Sequence, residues 1–201
     1  MVSAWVESGL LPGAALLIAR GDDVLVERYW GRASLRTDVP AGPDTLWSIA
    51  SITKPVTAAA VMACVDLGRL SLDAPVVDYL PEFAGDGGLA RLEVTLRHFL
   101  THTSGLAGFS RDNLELRRRH APIDDFISSF LREDLHFAPG RWHLYSSVGF
   151  GLAAEAVGRA VHTHPRALTG YEEFTLDLLH FLYKLQANLI QISIWNIKAK
   201  K

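Results

Sequence analysis

The sequence predicts a mixed α/β protein in which strands come first and helices follow, and three observations carry that reading. Two β-prone runs near the N-terminus flank a turn, an apolar run of helical length follows residue 52, and further helical runs come after it, separated by loops rich in Gly and Pro. The 201 residues, 49% hydrophobic and 21% charged, suffice to bury a core. A formal net charge of -2 gives no electrostatic reason to expect nucleic acid or an anionic membrane as partner.

Residues 14–19 and 24–30 are joined by Arg20-Gly21-Asp22-Asp23, which favours a tight turn, so a β-hairpin is expected. A polar loop with Pro40, Gly42 and Pro43 leads to "TLWSIA" and then to residues 53–67, apolar on nearly every side. Such a helix is expected at the centre of a fold. Gly68 is placed to end it, because glycine accepts the left-handed conformation common at helix ends. "LDAPVVDYLPEF" predicts a short helix capped by Asp73 with Pro75 near its start. Thr95 precedes the helical run "LRHFLTH", and another helix is expected over residues 122–135. "FAPGRWHLYSS" then forms a loop leading into the helical "VGFGLAAEAVGRAV".

The character of the chain changes at about residue 163. All fifteen arginines lie at or before Arg166, whereas four of the five lysines lie at or after Lys184. We therefore divide the sequence into residues 1–162 and a divergent tail, 163–201, whose apolar positions Phe174, Leu178, Phe181, Leu185, Leu189 and Ile192 recur at helical spacing. Polar interruptions exclude a spanning segment there. The first residues carry no basic leader, and Pro12 and Gly13 precede their apolar run, unlike a secretory signal; a cytoplasmic chain is expected. The single cysteine, Cys64, excludes a disulfide framework and reads as a buried inert thiol, and Arg117-Arg118-Arg119 reads as a solvated face.

The chemistry centres on Ser51 and Lys54. A serine hydroxyl is a poor nucleophile at neutral pH and needs a neighbouring base. Residues three apart share a helix face, so Ser51 at the helix start can meet Lys54 one turn on, and an amine among apolar neighbours can accept the hydroxyl proton where a guanidinium cannot. The helix N-terminus also offers unpaired N–H groups and a positive dipole end to an oxyanion. Alone, a Ser-x-x-Lys is weak, arising by chance about once in 200 residues. Pro55 adds a tension, because it disfavours helical geometry at Lys54.

Three segments strengthen it: "SIASITKPVTAAAVMACVDLGRLSLDAPVVDYLPEF", "VTLRHFLTHTSGL" and "FAPGRWHLYSSVGFGLAAEAVGRAV". Together and in order they resemble the serine β-lactamase-related family, which includes class C β-lactamases, family VIII carboxylesterases and penicillin-binding-type D-amino-acid peptidases. The resemblance covers about residues 8–162. It implies a β-lactamase/transpeptidase-like fold, an antiparallel sheet flanked by helices with a mainly helical subdomain, and no metal or organic cofactor. It also implies that Ser51 is acylated and that Lys54 and Tyr145 move protons, Tyr145 matching the tyrosine of a Tyr-x-Asn motif. Ser147 stands where that motif has Asn, so a hydroxyl replaces an amide at a substrate-binding position.

The family's third element, Lys-Thr-Gly or a variant on a strand, is matched neither by "ALTG" at 167–170 nor by "HTH" at 162–164, so a truncated domain is expected. His98 and His102, four apart on an expected helix, lack a third metal ligand and read as partly buried histidines. The expected function is acyl-enzyme hydrolysis of small carboxylic esters or amides, esters being favoured over β-lactams. The alternative is a catalytically silent member acting as an interaction protein or a non-functional fragment. Oligomeric state is not legible.

Overall fold

The structure, a computed structural model, describes residues 1–36 and 38–162, which form two compact units, Met1–Ser48 and the residues from Ile49 on. The helical spacing expected after residue 163 and the "ALTG" segment lie outside the described residues, as does most of "HTH".

In the first unit a short helix that the sequence reading did not anticipate, α1 (Val2–Glu7), precedes two antiparallel strands, β1 (Gly13–Arg20) and β2 (Asp23–Gly31). The register sets Gly13 opposite Gly31 and Arg20 opposite Asp23, with one irregularity between Ile18 and Ala19. Leu16, Leu17 and Ile18 of β1 and Val24 and Leu25 of β2 are all exposed, and because successive side chains of a strand alternate, both faces of the ribbon are apolar and open among the described residues.

The second unit is helical. A single 3-10 turn, Ala50–Ile52, opens directly into α2 (Thr53–Asp66). Leu67 caps the end of α2 and Gly68 follows at φ 67°; there the Gly68 N–H reaches the Val65 carbonyl and the Arg69 N–H the Cys64 carbonyl, both at 2.9 Å. These two bonds satisfy carbonyls that a helix end leaves open, and the left-handed residue they require is a glycine. The further helices are α3 (Leu96–Leu100), α4 (Asn113–Arg118), α5 (Ile123–Leu131) and α6 (Ser147–His162).

Helices α2, α3 and α5 all pack on α6, whose Val148, Leu152, Ala153, Ala156 and Val157 are buried. Gly151 permits a close approach: a Cβ there would lie 2.5 Å from the Phe130 ring. Phe83 and Phe99 meet edge-on beside this contact layer, with centroids 5.7 Å apart. Arg91 is buried, and its guanidinium donates to the carbonyls of Phe83 (2.5 Å), Glu133 (2.6 Å) and Leu131 while lying over the Phe83 ring. Cys64 is fully buried, and that burial pushes its thiol pKa up to about 11, as suits an inert residue.

Several local expectations are corrected. Helix α2 buries one face, Thr57, Ala60, Val61 and Cys64, while Pro55, Ala59 and Met62 are exposed; it packs on α6 along one stripe rather than being enclosed by the described residues. Residues 73–83 form two 3-10 turns, Val76–Asp78 and Pro81–Phe83, instead of one helix. Pro81 is the physical reason, since a residue before proline avoids the helical region, and Leu80 sits at φ -127°, ψ 74°. Asp73 caps nothing and instead grips Arg97 through both oxygens, at 2.6 and 2.7 Å. The helix expected over 122–135 closes at Leu131, and α4 went unread because its six residues bury only Leu116. Within the run of arginines in that region, Arg118 and Arg119 are exposed as expected.

Candidate active site

Ser51 lies in the turn ahead of α2, not in the helix itself, and Ala50 before it holds φ 45°, a left-handed value unfavourable for a residue with a Cβ. Lys54 lies in the first turn of α2 and is half-buried; Pro55, next to it, removes an N–H that a helix start does not use. Tyr145 lies in the loop two residues before α6, and Ser147 is the first residue of α6.

That loop is fastened to the turn after α3 by a series of hydrogen bonds. His136 N–H donates to the Gly105 carbonyl, Gly140 N–H to Thr103, Leu144 N–H to His102 (each 2.8 Å) and Ser147 N–H to Gly108 (3.0 Å). The Ser146 hydroxyl adds a bond to the Ala107 carbonyl at 2.8 Å. Gly105 makes the close approach possible: it sits at φ 88°, and a Cβ would lie 2.3 Å from the Phe137 carbonyl oxygen.

Four side chains come together here. The Tyr145 hydroxyl donates to Ser51 Oγ at 2.8 Å. Lys54 Nζ donates to Ser147 Oγ at 3.3 Å and lies 4.8 Å from the centroid of the Tyr145 ring. The lysine side chain first, and then the Ser51 hydroxyl, which can donate to the ionised oxygen, hold the Tyr145 phenol below its usual value of 10.0. The serine thus meets the phenol rather than the amine, and the sequence-based pairing of Ser51 with Lys54 across one helical turn is replaced by contacts through Tyr145 and Ser147. The cause is that Ser51 precedes the helix and does not share its face geometry.

His98 and His102 do not form a pair on one helix face. Helix α3 ends at Leu100, and His102 beyond it has φ 60°. His98 Nδ1 accepts the Thr95 N–H at 3.1 Å in a capping box, whereas His102 Nδ1 accepts the Ser146 N–H at 3.0 Å. Sequence reasoning missed the place of His102 beside Tyr145, where the two ring centroids are 4.5 Å apart. The available signal was its position in "HTSGL", just before a glycine that must turn.

A serine hydrogen-bonded to a tyrosine, with a lysine against the tyrosine ring, groups a nucleophile with side chains able to move its proton, which is what acyl transfer by a serine requires. The chain belongs to the β-lactamase family: residues 1–187 match the family model described as Beta-lactamase. It is similar to Esterase EstB of Burkholderia gladioli, 38% identical over 165 residues, covering 75% of this chain and 40% of the esterase. Among solved structures it is similar to a family VIII carboxylesterase (TM-score 0.62, 25% identity, 90% of this chain and 44% of that one). The D-alanine carboxypeptidase AmpC from Burkholderia cenocepacia is another (TM-score 0.59, 28% identity, 81% and 42%). The chain therefore spans less than half the length of these relatives. Its fold is β-lactamase/transpeptidase-like, combining helices with an antiparallel sheet. Among the described residues no helix is long and apolar enough to cross a membrane.

Proposed function

We propose that this chain carries the acylating machinery of a serine hydrolase acting on small carboxylic esters. The bond between the Tyr145 hydroxyl and Ser51 Oγ, with Lys54 beside the phenol, is the observation that supports it. In the reactive state the phenolate accepts the Ser51 proton while Oγ attacks the ester carbonyl, and the Lys54 ammonium stabilises the phenolate charge. Collapse of the tetrahedral intermediate breaks the bond to the alcohol oxygen, which takes the proton from Tyr145. Water then attacks the acyl-serine, giving its proton to Tyr145, and the carboxylic acid leaves as Ser51 is reprotonated. The oxyanion is assigned to the backbone N–H of Ser51, in the turn that precedes the positive end of α2.

Esters are favoured over β-lactams for two reasons. The similarity to EstB is one. The other is Ser147, whose hydroxyl is engaged by Lys54, where the resembled family has an amide able to hold a lactam's side chain. A fluorophosphonate probe tests the nucleophile: the protein is labelled at Ser51 and the Ser51→Ala variant is not. Well-folded protein that resists labelling would favour the silent, interacting alternative. A chromogenic ester assayed beside a chromogenic cephalosporin tests the substrate, and turnover of the cephalosporin alone would reverse the preference.

A further inference from the structure

We infer that His102 is a positioning residue for Tyr145, acting as a neutral imidazole that brackets the tyrosine on both sides of the chain. This inference rests on the reading of Ser51 and Tyr145 as the reacting pair. The carbonyl of His102 accepts the N–H of Leu144, immediately before the tyrosine, at 2.8 Å, and its ring Nδ1 accepts the N–H of Ser146, immediately after it, at 3.0 Å. The same ring lies against the phenol, 4.5 Å between centroids with planes tilted by 33°. One residue therefore fixes the backbone on either flank of Tyr145 and the plane of its side chain.

The hydrogen bond selects the chemical state. An Nδ1 that accepts an amide proton has its lone pair occupied, so the neutral ring carries its proton on Nε2. A second proton would have to enter at Nδ1, opposite the Ser146 N–H, where two donors would face one another. The groups around the ring oppose that charge as well. Lys54 from α2 lies near, His143 from the loop stands 5.6 Å away, and Phe150 from α6 closes another side at 5.1 Å. Burial first, then His143 and Lys54, accordingly hold the imidazole below its ordinary 6.5. The left-handed φ of 60° is tolerated by His and Asn better than by most side chains, which limits what can replace it.

Three variants separate the functions of the residue. His102→Asn keeps an acceptor near the place of Nδ1 and suits the backbone; His102→Phe keeps a ring without an acceptor; His102→Ala keeps neither. With a chromogenic ester, kcat is expected to fall about 100-fold in His102→Ala and less than about tenfold in His102→Asn, with KM nearly unchanged, since misplacement of a catalytic group by about 1 Å costs rate on that scale. His102→Phe should resemble the alanine variant. Two measurements do not need turnover. Nitrogen-15 NMR should show the Nε2–H tautomer of His102, with the Ser146 amide shift following its titration below 6.5. The phenolate absorbance of Tyr145, taken as a difference from Tyr145→Phe, should move toward pH 10 in His102→Ala and less in His102→Asn. An Nδ1–H tautomer, a Ser146 amide indifferent to that titration, or full kcat in His102→Ala would overturn the inference. Failure of Ser51 to label, with the NMR and absorbance results as expected, would instead remove the hydrolase reading and leave His102 as the positioner of Tyr145.

Discussion

The helical unit and the hairpin unit use the same kinds of residue to different ends. In the helical unit Phe99, Leu96, Val148 and Leu152 are completely buried, and the packing of α2 and α3 on α6 brings residues 51, 54, 102, 145 and 147 into one place. In the hairpin, Leu16, Leu17 and Ile18 form a continuous apolar run of the kind strands show when both faces are covered, yet Leu17 is 60% exposed. The hairpin is complete as a strand pair and incomplete as a packed layer among the described residues. The difference teaches that the grouping of side chains around Ser51 in the second unit depends on helix packing within that unit.

The strongest way to break this comparison is at the site. Tyr145→Phe should lower kcat/KM for an ester by about 1000-fold, the scale of lost acid–base catalysis, without loss of the cooperative unfolding transition. In the unmodified protein kcat/KM should rise with pH and level off below pH 10, because the phenol is held below that value and its ionised form is the reactive one. A Tyr145→Phe enzyme with unchanged pH dependence would dissociate the phenol from the chemistry. Next in size, Phe99→Ala should destabilise the fold by about 3–5 kcal/mol in urea unfolding, as expected when a buried aromatic is removed from a tight layer.

Acid should weaken the helical unit before carboxylates are involved. His98 and His102 are both held below 6.5, chiefly by burial. A group in that position binds protons more readily when unfolded, so its stabilising effect is complete above about 6.5 and is lost as pH falls from there toward the depressed values. Urea midpoints measured between pH 7 and pH 5 should therefore decrease, and the decrease should be smaller in His102→Asn. The least effect is expected in the hairpin, where Leu17→Ala should change stability by no more than about 0.5 kcal/mol. A cost equal to that of Phe99→Ala would show that the ribbon is packed after all.

Local chemistry made much of this legible. The hairpin was visible because Gly21 sits between two β-prone runs, and the end of α2 because only a glycine suits the position after Leu67. The cap at Thr95 was visible for the same reason: one side chain and its neighbours decide it. What depends on long-range packing was not. The exposed stripe of Pro55, Ala59 and Met62 could not be told from the buried one, since α2 is apolar on nearly every side, and α1 and α4 are too short for a periodic signal. Ser51 and Lys54 could be named from spacing, but the contact between Ser51 and Tyr145 spans 94 positions and was suggested only by resemblance. The role we infer for His102 depends on a left-handed turn that no spacing rule reports.

Arg91 gives the molecule a polarity under acid. A guanidinium stays charged at any pH the fold survives, so the knot it ties among Phe83, Leu131 and Glu133 does not titrate. The histidine clamps at Thr95 and Ser146 do titrate. On mild acidification the contacts at Thr95 and Ser146 should therefore loosen while those of Arg91 remain, so that the setting of Tyr145 is disturbed ahead of global melting.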